Sequence, residues 1–211
     1  MLRKLLLISG IASSLLYVAM NIIAAAMYEG YSSVSQTVSE LSAIGSPTRP
    51  VWVGMAIFYG LLLIAFGIGV WFSAGRRPAL RTIGALIIAQ AIFGFFWPPM
   101  HVRGAQSSLT DTLHIVFTFI TVPMMIAAIV SSAFVCANRF RIYSIGTLVV
   151  LVAFGILTGL DGPNIAAVRP TPFVGIWERI SIGAFMLWVV VLTLLLLRER
   201  KAHELGREFP S

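Results

Sequence analysis

The chain has 211 residues, 58% hydrophobic and only 11% charged, with a formal charge of +7 from 15 Lys+Arg against 8 Asp+Glu. Soluble domains carry roughly a quarter charged residues, so this composition, with a mean hydropathy of +0.93, excludes an ordinary soluble domain. A basic soluble protein with an isoelectric point near 10.3 would suggest a nucleic-acid partner; the apolar excess removes that reading and predicts an integral protein of the lipid bilayer.

A membrane-spanning helix needs about 20 mostly apolar residues, and six stretches qualify: 5–27, 51–74, 82–98, 112–136, 142–160 and 174–197. Transmembrane β-strands are about ten residues long and alternate strictly, so these longer runs are helices. The predicted fold is an all-α, six-transmembrane-helix bundle, one domain over residues 1–211 with a tail at 198–211.

The first span follows Met1-Leu-Arg-Lys4 and ends near Ala24-Ala25-Ala26, which has the outline of a secretory signal. Its length, and the polar pair Tyr17 and Asn21 at helical spacing, favour a retained bundle helix. In the loop that follows, Val34, Val38 and Leu41 share one helical face, and Thr37 to Glu40 matches a capping box. A short interfacial helix is expected there, acting either as a capped surface element or as a lid that turns Ser39 or Glu40 inward.

The third span is short, carries Gln90, and stops at Pro98-Pro99. Beyond it lie His101 and Arg103, then Ser108-Leu-Thr-Asp111, a second capping box. Asp111 and His114 stand three apart and share a helix face, so they read as an oriented pair. Pro123 is expected to kink the fourth span. Cys136 is the only cysteine, so no intramolecular disulfide forms.

The fifth span holds Gly155-x-x-x-Gly159, a spacing that permits close helix contact. It ends in Asp161-Gly162-Pro163, where an Asx-type turn competes with a pocket role for the carboxylate. Arg169 follows in the next loop. In the sixth span Gly175, Glu178, Ser181 and Phe185 form a stripe toward the bundle, while Arg179 is expected to snorkel to the headgroups. An inward Glu178 needs a cation, either Arg103, Arg169, a protonated histidine or a metal. The tail mixes both charge signs and is expected to continue the last helix into the headgroup layer.

Basic residues set orientation. Of the 15, 11 fall on the side bearing both termini and 4 (Arg49, Arg103, Arg169, Arg179) on the other. The termini are therefore expected in the cytoplasm of a multi-pass cell-membrane protein, with outer loops at 28–50, 99–111 and 161–173. With acidic residues included, the cytoplasmic side is 11 − 3 = +8 and the outer side 4 − 5 = −1. No P-loop, Gly-rich dinucleotide turn, HExxH or GxSxG occurs, which excludes an ATPase or dehydrogenase.

The run Tyr31-Ser-Ser-Val-Ser-Gln-Thr-Val-Ser39-Glu40-Leu41, with Phe96-Trp97-Pro98 and Asp111-Thr-Leu-His114, resembles a bacterial and archaeal membrane family catalogued as domain of unknown function 998. That family is in turn similar to six-helix eukaryotic membrane proteins linked to lipid remodelling and autophagy. The resemblance implies six helices and an outward site, and it brings no activity.

The reading that follows is an outward polar pocket that binds, or acts on, a lipid-like molecule. As a hydrolase or transferase it would use His114 as general base oriented by Asp111, with His101, Asp161 and Glu178 as further acid/base groups. Ser39, Glu40, Arg103 and Arg169 would bind substrate. His101 and His114 with a carboxylate could hold a divalent metal such as zinc. The rivals are a non-catalytic scaffold or assembly protein, a small transporter, and more remotely a haem held between the two histidines.

Overall fold

In the computed structural model, residues 1–134 and 138–208 are described, with side chains through Glu199; Cys136 lies outside the described residues. Among the described residues eight helices follow in chain order: α1 (Leu2–Met27), α2 (Val38–Leu41), α3 (Arg49–Phe72), α4 (Pro78–Phe95), α5 (Leu109–Ser132), α6 (Asn138–Leu160), α7 (Gly162–Ala166) and α8 (Val174–Glu208). Six of them are long and apolar enough to cross a membrane, which makes this a multi-pass membrane protein. In α3 and α4 a proline occupies the first turn, where its missing N–H costs nothing. At 18 residues α4 is the shortest span, about 27 Å long, and it stops just before Pro98-Pro99. Pro123 lies inside α5, which runs unbroken around it. As the tail's composition suggested, α8 continues to Glu208.

The spans form a closed ring: α1 packs on α3, α3 on α4, α4 on α5, α5 on α6, α6 on α8, and α8 back on α1. The start of α1 and the finish of α8 therefore share one end of the bundle, the terminal end. The segments 28–48, 96–108 and 161–173 gather at the other, the cap end. The main core runs through the ring and includes Leu7, Phe66, Ile87, Ile129, Leu151 and Trp188. A smaller cluster of Met20, Ala24, Val38, Leu41 and Trp52 sits under the cap.

Lipid is as apolar as leucine, so helices in a bilayer associate through close backbone approach and buried hydrogen bonds. Both devices are present. A Cβ on Gly67 would stand 2.9 Å from the Gly84 carbonyl oxygen, and one on Gly84 would stand 2.7 Å from that of Gly67. At that crossing α3 and α4 touch backbone to backbone. Deeper in the bundle the Trp188 indole N–H donates to Ser144 Oγ at 3.2 Å, and Ser144 meets Ser132 Oγ at 3.1 Å, linking α8, α6 and α5.

The glycine spacing in α6 does not work this way. Gly155 has only Ser181 Oγ nearby, at 3.6 Å, and Gly159 faces open space. Gln90 makes no side-chain hydrogen bond among the described residues, and Asn21 bonds within its own helix, to the Tyr17 carbonyl at 3.0 Å. Neither side chain links two helices among the described residues.

Candidate functional site

The cap is built on two local devices legible in the sequence and one long-range pair that is not. Thr37 and Glu40 form the expected capping box: the Thr37 backbone N–H donates to Glu40 Oε2 at 2.6 Å and its hydroxyl does so at 3.0 Å. The helix it starts, α2, is a single turn tucked into the protein, with Val38, Glu40 and Leu41 all buried. Glu40 is 2% exposed, and a carboxylate that deep needs compensation. Arg103 supplies it through Nε to Oε1 at 2.6 Å and Nη2 to Oε2 at 3.1 Å. The same guanidinium donates to Thr171 Oγ1 at 2.9 Å and to the Ser35 carbonyl at 3.0 Å. One arginine thus ties all three cap segments together. Its position is fixed by a single parallel bridge, in which Ile44 N–H donates to the Met100 carbonyl and Val102 N–H to the Ile44 carbonyl.

The first turns of α8 fasten residues 31–37, the strap between α1 and α2, to the bundle. The Val34 carbonyl accepts the Gly175 N–H at 3.0 Å, a group with no partner inside the helix, and at 3.3 Å shares the Ile176 N–H with the Phe173 carbonyl. Glu178 accepts the Val38 N–H and, at 3.4 Å, the Ser39 hydroxyl. The cation expected for Glu178 is therefore replaced by the first N–H of α2, while Arg103 goes to Glu40. Arg179 does not snorkel away. Its Nη1 donates to the carbonyls of Ser33, Gln36 and Gly175 at 2.9, 3.1 and 3.0 Å, and Nη2 donates to Tyr31 Oη at 2.6 Å. The strap's carbonyls lie directly over it and outcompete the interface. Burial pushes the Tyr31 phenol up to about 12, against the opposing pull of Arg179.

The remaining candidates go elsewhere. Asp111 caps α5 by accepting the Ser108 N–H at 2.8 Å. Its partner is His101, through the backbone N–H at 2.7 Å and ring Nδ1 at 2.8 Å, and not His114. His114 lies a turn further along, where Nδ1 is approached by the Trp97 indole N–H at 3.0 Å and the Pro98 carbonyl at 2.8 Å. Asp161 precedes the short α7 and accepts from the Asn164 amide at 3.0 Å. Arg169 is exposed. His101, Asp111, His114, Asp161 and Glu178 therefore occupy four separate places, and only His101 and Asp111 meet. Among the described residues no three His, Cys, Asp or Glu side chains gather as a metal would require. The His101–Asp111 pair lacks the third ligand of a two-histidine zinc site.

A cavity of about 350 Å³ lies elsewhere, between α1 and α8, lined by Tyr17, Asn21, Ala25, Ile182, Gly183 and Met186, with Ser33 and Arg179 at the cap end. Val18 and Ile22 also line it and are exposed, so it opens sideways toward the lipid. It is apolar, unlike the polar pocket anticipated from the sequence. The one advance signal was the Tyr17 and Asn21 pair. The Asn21 side-chain carbonyl is buried there without a hydrogen-bond partner.

The family model described as a protein of unknown function, DUF998, matches residues 11–195, reaching into all six spans. No curated protein and no solved structure matches the chain.

Proposed function

This chain belongs to the DUF998 family, and from that premise we propose that it binds a lipid-like amphiphile at the cap end without covalent chemistry. With the basic termini inside the cell, the cap faces outward and the groove between α1 and α8 lies in the outer half of the cell membrane. The observation that carries this reading is the groove itself: about 350 Å³, apolar-walled, open to lipid and rimmed by polar groups. Small-molecule sites in general run from roughly 300 to 1,000 Å³ and are lined mainly by apolar side chains with a few polar ones.

The enzymatic reading loses its support because its residues are spent on separate tasks. Asp111 caps a helix and holds His101, Asp161 holds Asn164, and Glu178 caps α2. A nucleophile, base and orienting group in mutual reach are absent among them. A scaffold role is a second reading, favoured by the Arg103 clamp that locks all three cap segments.

The test is cross-linking by a photoreactive acyl-chain lipid in nanodiscs, with the labelled peptides mapped. Label should concentrate on the α1 and α8 peptides around Ile22 and Ile182 and fall several-fold in Val18→Trp, which fills the groove. If those peptides label no more than the lipid-facing stretch around Phe119 in α5, and Val18→Trp changes nothing, the reading is wrong.

A further inference from the structure

Arg103 and Arg179 both lie in the cap network, yet their charges are met differently. Arg103 offers Nε and Nη2 as a fork to the two oxygens of Glu40. Arg179 has no carboxylate partner among the described residues. Its Nη1 is taken by three carbonyls, and one Nη2 hydrogen goes to Tyr31. Its Nε–H and the second Nη2 hydrogen have no acceptor among the described residues. The adjacent carboxylate, Glu178, turns to Val38 and Ser39 instead. Carbonyl dipoles solvate a guanidinium but do not neutralise it, and an unpaired charge at the edge of a low-dielectric groove is costly. The guanidinium fork matches the oxyanions of phosphate and carboxylate.

Two more residues with unspent groups line the same groove. The Ser33 hydroxyl makes no hydrogen bond among the described residues, and the Asn21 carbonyl oxygen is buried and orphaned. That oxygen lies behind the groove wall, so an occupant meets Ser33 rather than Asn21. Resting on the lipid-binding reading above, we propose that the groove selects an anionic lipid. Its phosphate or carboxylate sits on the free edge of Arg179 beside Ser33. Its acyl chain lies between α1 and α8.

The experiment compares dioleoyl phosphatidylglycerol with dioleoyl phosphatidylcholine, each competing against the photoreactive lipid for the α1–α8 peptides in nanodiscs. One partly exposed ion pair is worth about 1 kcal/mol, or about a fivefold preference for phosphatidylglycerol. That preference should approach unity in Arg179→Gln and fall in Arg179→Lys, which keeps the charge without the fork. Glycerol 3-phosphate, a headgroup without chains, should not compete. The comparison in the unaltered protein needs no variant to fold.

Equal competition by both lipids overturns the anionic assignment while leaving lipid binding intact. A preference that survives in both Arg179 variants overturns it too, because the basic terminal end would then be its source. Absence of groove labelling from the outset instead removes the reading underneath.

Discussion

Arg103 and Glu40 meet fork to fork across 63 residues of sequence, Nε to Oε1 at 2.6 Å and Nη2 to Oε2 at 3.1 Å. The glutamate side chain is 3% exposed and the arginine 18%. Removing one partner strands the other in a dry setting, which costs about 3 kcal/mol or more. Glu40→Ala and Arg103→Ala should each lower the unfolding midpoint strongly in detergent, and the double variant should lose much less than their sum. Arg103→Lys should fall between, since an ammonium cannot reproduce the fork. Additive losses would mean that the pair is not coupled.

His114 carries a second testable relationship. Trp97 and the Pro98 carbonyl both approach Nδ1, but one ring nitrogen cannot accept a proton from the indole and donate one to the carbonyl at once. With Trp97 present, the tautomer protonated at Nε2 satisfies the indole. Trp97→Phe removes that donor and leaves the carbonyl, so the proton should move to Nδ1. Nitrogen chemical shifts of labelled histidine report the tautomer directly. Identical shifts in both proteins would show that the indole does not set it.

What the sequence disclosed was what depends on near neighbours. A bilayer demands about 20 apolar residues per span, so the six helices were plain. Both capping boxes were too, because Thr37 to Glu40 and Ser108 to Asp111 are three residues apart. The Asp111 and His114 spacing misled. Capping draws the Asp111 carboxylate back toward Ser108 and His101, while His114 turns to Trp97. Spacing fixes a shared helix face and leaves open what that face meets. The partners of Arg103 and Arg179, and the groove between the first and last spans, depend on which distant segments the ring brings together.

The glycines make the same point in measurable form. Gly155 and Gly159 carry the familiar spacing yet touch almost nothing, whereas Gly84 abuts the Gly67 carbonyl. At Gly175 a Cβ would lie 2.5 Å from the Ser33 carbonyl oxygen and nearer still to that of Gln36. Backbone atoms cannot rotate away, so Gly84→Ala and Gly175→Ala should each cost about 2 kcal/mol. Gly159→Ala should be neutral or slightly stabilising, since alanine is the better helix former. Gly175→Ala should also expose the strap at Ser33–Gln36 to limited proteolysis, an effect not expected of Gly84→Ala. Equal tolerance at all three positions would contradict the packing described.

Tyr31 supplies a pH dependence with a definite sign. Its hydroxyl donates to the Thr37 carbonyl at 2.7 Å and receives Arg179 Nη2 at 2.6 Å, and burial raises its pKa from 10.0 to about 12. The folded state therefore holds the phenol's proton more tightly than the unfolded chain does. The stability gained is fully present below pH 10 and is lost as pH rises toward 12. Tyr31→Phe lacks both hydrogen bonds and should be about 1 kcal/mol less stable at neutral pH. Between pH 10 and 12 the difference between the two proteins should shrink, because only the native chain has this group to titrate. The other tyrosines are common to both and cancel in the comparison. Unfolding midpoints measured from pH 8 to 12 test this, and a gap that stays constant across the alkaline range would show that the Tyr31 hydroxyl is not held as the structure has it.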